Sequence, residues 1–183
     1  MDDAPRFLLD DAPPPDGKTY RPAPVDRRGE RVGWLLSLAL AGGLLLLQRF
    51  SGGIAWLGLV FLALLVALAA LVSIGNWLEA GTSIRIDAQA IEERTPLRSV
   101  RLGWGEVDEM WTWPASRGWR ILLRGTGGQI LFRTGERMSF PRGAELRLGF
   151  PEGEQMAGVV RRAARLSAPL RQDDGWVCRR TAN

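Results

Sequence analysis

Ile54 to Val72 reads IAWLGLVFLALLVALAALV, 19 consecutive residues without a polar side chain. As a helix this run is about 28 Å long at 1.5 Å per residue, close to the hydrocarbon thickness of a bilayer. A soluble helix of that length keeps a polar face, and this one has none. The chain is uncharged from Phe50 to Leu78, and upstream Val32 to Leu47 has Ser37 as its only polar side chain. Arg31 and Arg49 bracket that shorter run and can snorkel to the two interfaces. The pattern predicts a transmembrane hairpin over residues 32–78, with spans at about 32–48 and 54–77. The mean hydropathy of the whole chain, −0.05, averages this hairpin with two polar ends. A cleaved signal peptide fits poorly, because the segment before the apolar run opens Met1-Asp2-Asp3 rather than with basic residues.

Trp34 opens the first span, Trp56 opens the second and Trp77 closes it, which in an antiparallel pair distributes aromatic rings over both interfaces. The short connection Gln48-Arg49-Phe50-Ser51-Gly52-Gly53 enforces that pairing. Ala39 and Gly43, and Ala63 and Ala67, are small residues four apart and are candidates for helix–helix packing. Arg21, Arg27, Arg28 and Arg31 precede the first span, whereas the connection carries only Arg49. The positive-inside rule therefore places both termini in the cytoplasm.

Residues 1–31 mix six prolines with seven acidic residues and read as a disordered cytoplasmic tail. Leu8 and Leu9 are a candidate docking element within it, against the plainer reading of an uninvolved linker. Residues 79–170 form a β domain by their period-two alternation. The expected strands contain Ile84 and Ile86, Ile91, Val100 to Trp104, Val107 to Trp113, Trp119 to Leu123, Ile130 to Phe132, and Leu146 to Phe150. Val107, Trp111 and Trp113 are placed on one face. A helix at about 152–166 closes the domain, with Met156, Val159, Val160 and Ala163 as its apolar stripe. Residues 171–183, including Cys178, read as a flexible polar tail. The fold class is thus α+β: a transmembrane hairpin, then a small antiparallel β-barrel or sandwich with a C-terminal capping helix.

Composition removes most familiar chemistry. The chain has no histidine, one cysteine and a single lysine, Lys18. That excludes His-based triads, His-ligated metals, internal disulfides and Cys-rich zinc sites. Gly125-Thr126-Gly127-Gly128 follows a strand but precedes another, so it reads as a hairpin turn rather than a phosphate loop. Glu106, Asp108 and Glu109, and Glu92 with Glu93, read as solvated or ion-paired strand faces rather than a cation or acid–base site. Trp104, Trp111, Trp113 and Trp119 lie among arginines, a pattern that can also stack on single-stranded nucleic acid. A membrane anchor argues against that, and core packing is the favoured role. Trp113-Pro114 is the candidate for an exposed, lipid-facing loop.

Several stretches resemble the bacterial pleckstrin-homology-like membrane proteins: Ser83 to Asp87 leading to Ala90-Ile91, Val100 to Val107 with its Trp104-Gly105-Glu106 turn, and the helix after Phe150-Pro151. The resemblance covers about residues 32–168. It implies a pleckstrin-homology-like barrel on a membrane anchor in the bacterial inner membrane, with no catalytic activity. Eukaryotic relatives of that fold bind phosphoinositides through a basic first hairpin. Here the first hairpin, Asp87 to Glu93, is acidic, which argues against specific inositide binding and leaves general attraction to anionic lipid.

The expected function is a non-enzymatic inner-membrane protein that presents its domain to another protein or to the lipid surface. No cofactor, metal or nucleic acid is expected; the partners are membrane lipids and another membrane or cytoplasmic protein. The oligomeric state stays open. Residues 79–183 carry 17 arginines against 13 acidic groups, and Arg98, Arg101, Trp113, Arg117 and Arg120 are the candidate surface. The alternative is an accessory or assembly subunit of a larger membrane complex. It would dock through Ala39, Gly43, Ala63 and Ala67. Lipid-headgroup chemistry through Glu106 and Asp108 is a remote third.

Overall fold

The computed structural model describes residues 4–9, 17–24, 26–51, 56–115, 118–139 and 145–180. It divides into two units, Asp26–Glu79 and a second made of Met1–Val25 together with Ala80–Asn183. The helical unit is therefore an insertion into the β unit.

The helical unit holds α1 (Arg28–Ser51) and α2 (Trp56–Ala80). Both are long and apolar enough to cross a membrane, and only 6% of either span is buried within the protein, unlike the core helix of a soluble fold. Their seam is set by small and polar residues. Ser37 and Ala69 are each 4% exposed. A Cβ added at Gly33 would lie 3.4 Å from the Ala69 Cβ, and one at Gly58 would lie 2.5 Å from Leu44 Cδ2. At one end Ser73 Oγ and Asn76 Nδ2 donate to the Glu30 carboxylate at 2.8 and 2.9 Å, and Trp34 Nε1 donates to Ser73 Oγ at 3.0 Å. Gly58, Ala69, Ser73 and Asn76 lie at spacings that keep them on one helix face. Ala39, Gly43, Ala63 and Ala67, the expected packing residues, all lie exposed and off this seam. The seam follows instead the part-buried polar set of Ser73 and Asn76 on Glu30 and the close approaches at Gly33 and Gly58.

Among the described residues the β unit has eleven strands. They are β1 (Lys18–Tyr20), β2 (Ser83–Ile86), β3 (Ala90–Arg94), β4 (Ser99–Gly103), β5 (Val107–Ala115), β6 (Gly118–Gly125), β7 (Gly128–Arg133), β8 (Glu136–Ser139), β9 (Glu145–Leu148), β10 (Leu170–Gln172) and β11 (Gly175–Arg179). One antiparallel sheet has the order β1-β2-β3-β4, a second β10-β11-β5-β6-β7, and β8 pairs with β9 alone. The β6–β7 turn is Thr126-Gly127, between the paired Gly125 and Gly128, as a two-residue hairpin requires. It lies against β4, where a Cβ on Gly127 would meet Leu102 at 3.2 Å and one on Gly128 would meet Val100 at 3.3 Å.

The helix α3 spans Gly153–Ala163, shorter than the expected 152–166, because Arg165 takes a left-handed φ of 53°. Met156, Ala157, Val159 and Val160 are buried in a core built from both sheets, with Ile84, Ile86, Ile91, Leu102, Ile121, Leu123 and Ile130.

Both expected tails are corrected where they are described. Arg6–Leu8 is a turn of 3-10 helix whose Leu8 is fully buried in the core, and the Phe7 ring meets Trp119 edge-on at 5.8 Å. Lys18–Tyr20 then adds β1 to the edge of β2, with Tyr20 in the core. Prolines set the composition of this segment, but Leu8, Phe7 and Tyr20 pack it on the core and the pairing of β1 with β2 holds its backbone. Residues 10–16 lie outside the described residues. At the other end β10 and β11 extend the second sheet, and Cys178 pairs with Met110 and is buried. The alternation of Trp176 and Cys178 in one short run is that strand's signature.

Candidate functional site

The two sheets turn opposite chemistries outward. On the first, Thr19, Arg85, Glu92 and Arg101 stand in register from β1 to β4. Arg94 pairs with Glu92 at 2.7 Å, Arg98 with Glu93 at 3.0 Å and Arg101 with Asp87 at 3.8 Å. Asp87 Oδ1 also accepts the backbone N–H groups of Gln89 and Ala90, which hold its pKa below the ordinary value. Glu93 sits on the core side, 5% exposed, and burial raises its pKa against the opposing pull of Arg98. Arg94, Arg98 and Arg101 thus each have a carboxylate on this same sheet. The candidate residues Arg98 and Arg101 belong to it.

The second sheet is apolar outward. Leu170, Val177, Trp111, Leu122 and Leu131 stand in register across all five strands, from β10 to β7. Leu131 is 53% and Leu170 58% exposed, so the row is open at both edges. Beside it runs a second row, Trp113, Arg120 and Arg133. Trp111 and Trp113 stack at 5.7 Å with 14° between their planes, making one wall. Between this wall and β7 lies an open groove of about 600 Å³ lined by Trp113, Pro114, Arg120, Leu122, Leu131 and Asp174, with Gln129. On the far side of the apolar row, Arg124 and Arg179 share Glu109 at 3.3 and 3.9 Å.

The register of β5 explains why the tryptophans are outside. The sequence pattern put Val107, Trp111 and Trp113 on one face. A bulge between Val107 and Glu109 inserts one residue. Parity reverses beyond it, so Val107, Met110 and Thr112 turn inward while Trp111 and Trp113 turn outward. The close passage of β6 at the bulge needs Gly125, where a Cβ would run into the Glu106 carbonyl. Trp104 and Trp119 do pack on the core. Trp104 Nε1 donates to the Asp87 carbonyl at 3.1 Å.

The structure thus brings Trp113 and Arg120 together and separates them from Arg98 and Arg101; Arg117 lies outside the described residues. Sequence reasoning missed Leu122, Leu131, Val177 and Arg133. Its signal was present: Ile121-Leu122-Leu123 and Ile130-Leu131-Phe132 are apolar on both parities, so each strand also turns an apolar side chain away from the core.

Comparison of the chain with protein-family models, with curated proteins and with solved structures finds no match.

Proposed function

We propose that this chain is a non-enzymatic membrane protein of the bacterial inner membrane, in which the helical hairpin anchors a cytoplasmic, pleckstrin-homology-like β domain. The outer face of the five-stranded sheet is its binding surface for another protein or for lipid. The carrying observation is that face: an apolar row five strands wide whose edge leucines, Leu131 and Leu170, are exposed while Val177 and Leu122 between them are buried, with stacked tryptophans and arginines beside it. Aromatic rings and arginine are the residue types enriched where protein surfaces bind, and contiguous exposed apolar area marks interaction sites.

Topology supports the anchor. β1 precedes the hairpin and β2 follows it, yet the two are hydrogen-bonded neighbours. Whatever the hairpin crosses, both strands must lie on one side, which two spans allow and one does not. Arg27, Arg28 and Arg31 at the start of α1 favour the cytoplasmic side. Protease treatment of inverted and right-side-out vesicles tests this. Cleavage within 80–183 is expected only in inverted vesicles, and cleavage only from the periplasmic side overturns it.

The exposure of Ala39, Gly43, Ala63 and Ala67 favours a second reading, in which the outward helix faces dock onto the spans of a larger complex. Recovery of partners by α1 and α2 variants bulky at those four positions excludes it.

A further inference from the structure

We propose that the groove on the five-stranded sheet binds an extended acidic segment of a partner protein, recognised through a carboxylate held between Arg120 and Arg133. This deepens the interaction reading above and rests on it.

Arg120 and Arg133 are direct cross-strand partners on β6 and β7. Like charges in that position repel, and among the described residues neither guanidinium has a carboxylate within ion-pair distance. Five other arginines at the surface of the two sheets differ: Arg94, Arg98, Arg101, Arg124 and Arg179 each have a carboxylate at 3.9 Å or closer. An in-register arginine pair with no carboxylate partner among the described residues is arranged for an anion from outside. Its third neighbour in the row is Trp113, and the next row along the strands is Trp111, Leu122 and Leu131. The site therefore offers positive charge and apolar surface two residues apart on the same face.

That spacing defines the ligand. A segment lying extended along β6 points alternate side chains into the groove. An acidic residue above Arg120 and Arg133 then puts the residue two positions away above Leu122 and Leu131. The recognised pattern is an acidic residue, any residue, then a large apolar one. From the Arg120 row to the level of Gln129 is about 13 Å, room for four or five extended residues. Asp174 on the groove wall decides between a segment and a membrane. A flat anionic bilayer brought onto the arginine pair would also press against that carboxylate, whereas a peptide carries its charge at one point.

The test uses the full chain in zwitterionic nanodiscs. A phage-displayed library of random 12-residue peptides is panned on it, and the enriched sequence is synthesised and titrated by fluorescence anisotropy. The expected result is the acidic–any–apolar pattern. Affinity falls at least about thirtyfold in R120E/R133E and about tenfold in W113A. A peptide with lysine in place of its acid regains binding to R120E/R133E, and R85E on the other sheet changes nothing. Unaltered Cys178 labelling and urea midpoints show that the variants fold. Enrichment of peptides without an acid, indifference to R120E/R133E, or no enrichment at all overturns the proposal. So does loss of binding to phosphatidylglycerol vesicles in R120E/R133E without peptide enrichment, which assigns the pair to lipid. In any of these cases, photocrosslinks formed in cells from position 131 keep the binding face and reject only the acidic segment.

Discussion

Leu8 is the sharpest place to perturb the domain, because composition alone makes its segment a tail. Its side chain is 0% exposed and lies in the same core as Met156, Val159 and Ile121. Leu8→Ala removes a fully buried isobutyl group and leaves a cavity, which in folded cores costs about 2–5 kcal/mol. Cys178 supplies the assay. It is the only cysteine, buried in β11 between β10 and β5, and burial pushes its thiol up to about 11. Maleimide labelling at pH 7.5 then reports opening of the domain in the intact chain. A loss of 2 kcal/mol or more raises the labelling rate about thirtyfold or more, provided closing outpaces labelling. Leu9→Ala is the control, since Leu9 is 58% exposed; its rate should stay within about threefold. A Leu8→Ala rate equal to the parent's, with an unchanged urea midpoint, refutes the docking of this turn into the core.

The hairpin seam predicts that G33C/A69C, in a C178A background, forms a disulfide on mild oxidation, because the two Cβ positions lie 3.4 Å apart. A39C/A67C should not, and efficient crosslinking of that pair would contradict the seam. Thr112→Val is expected to raise stability by about 1 kcal/mol, because the hydroxyl is fully buried without a hydrogen-bond partner among the described residues; a clear loss in urea unfolding would show a partner. Burial raises the Cys178 pKa from an ordinary 9.0 to about 11, so the unfolded chain loses that proton first. Stability should therefore decline as pH rises from 9 toward 11, and C178A should remove that part of the decline.

Periodicity carried the architecture well where it was locally consistent. The apolar run from Ile54 to Val72 and the alternation of Ile84 and Ile86 place a span and a strand, because solvent and pleat act on every residue of such segments alike. The β5 register was not legible, since one inserted residue at Asp108 reverses every later side chain and leaves no mark in the composition. The β1 and β11 strands were hidden for another reason. They are three and five residues long and order themselves only by joining sheets whose other strands lie far along the chain. The helix seam depended on where Ser73 and Asn76 find Glu30, a pairing between distant residues. The proposed binding face was half legible: Trp113 and Arg120 stood out as residue types, whereas Leu122 and Arg133 gain meaning only through cross-strand register.

The central claim is that the outer face of the five-stranded sheet is where this protein meets its partner. A photoactivatable phenylalanine analogue at Leu131, compared with the same analogue at Arg85 on the opposite sheet, tests it in living cells. A discrete crosslinked species is expected from position 131 and none from 85. Equal crosslinking from both positions, or crosslinks from 85 alone, would contradict it.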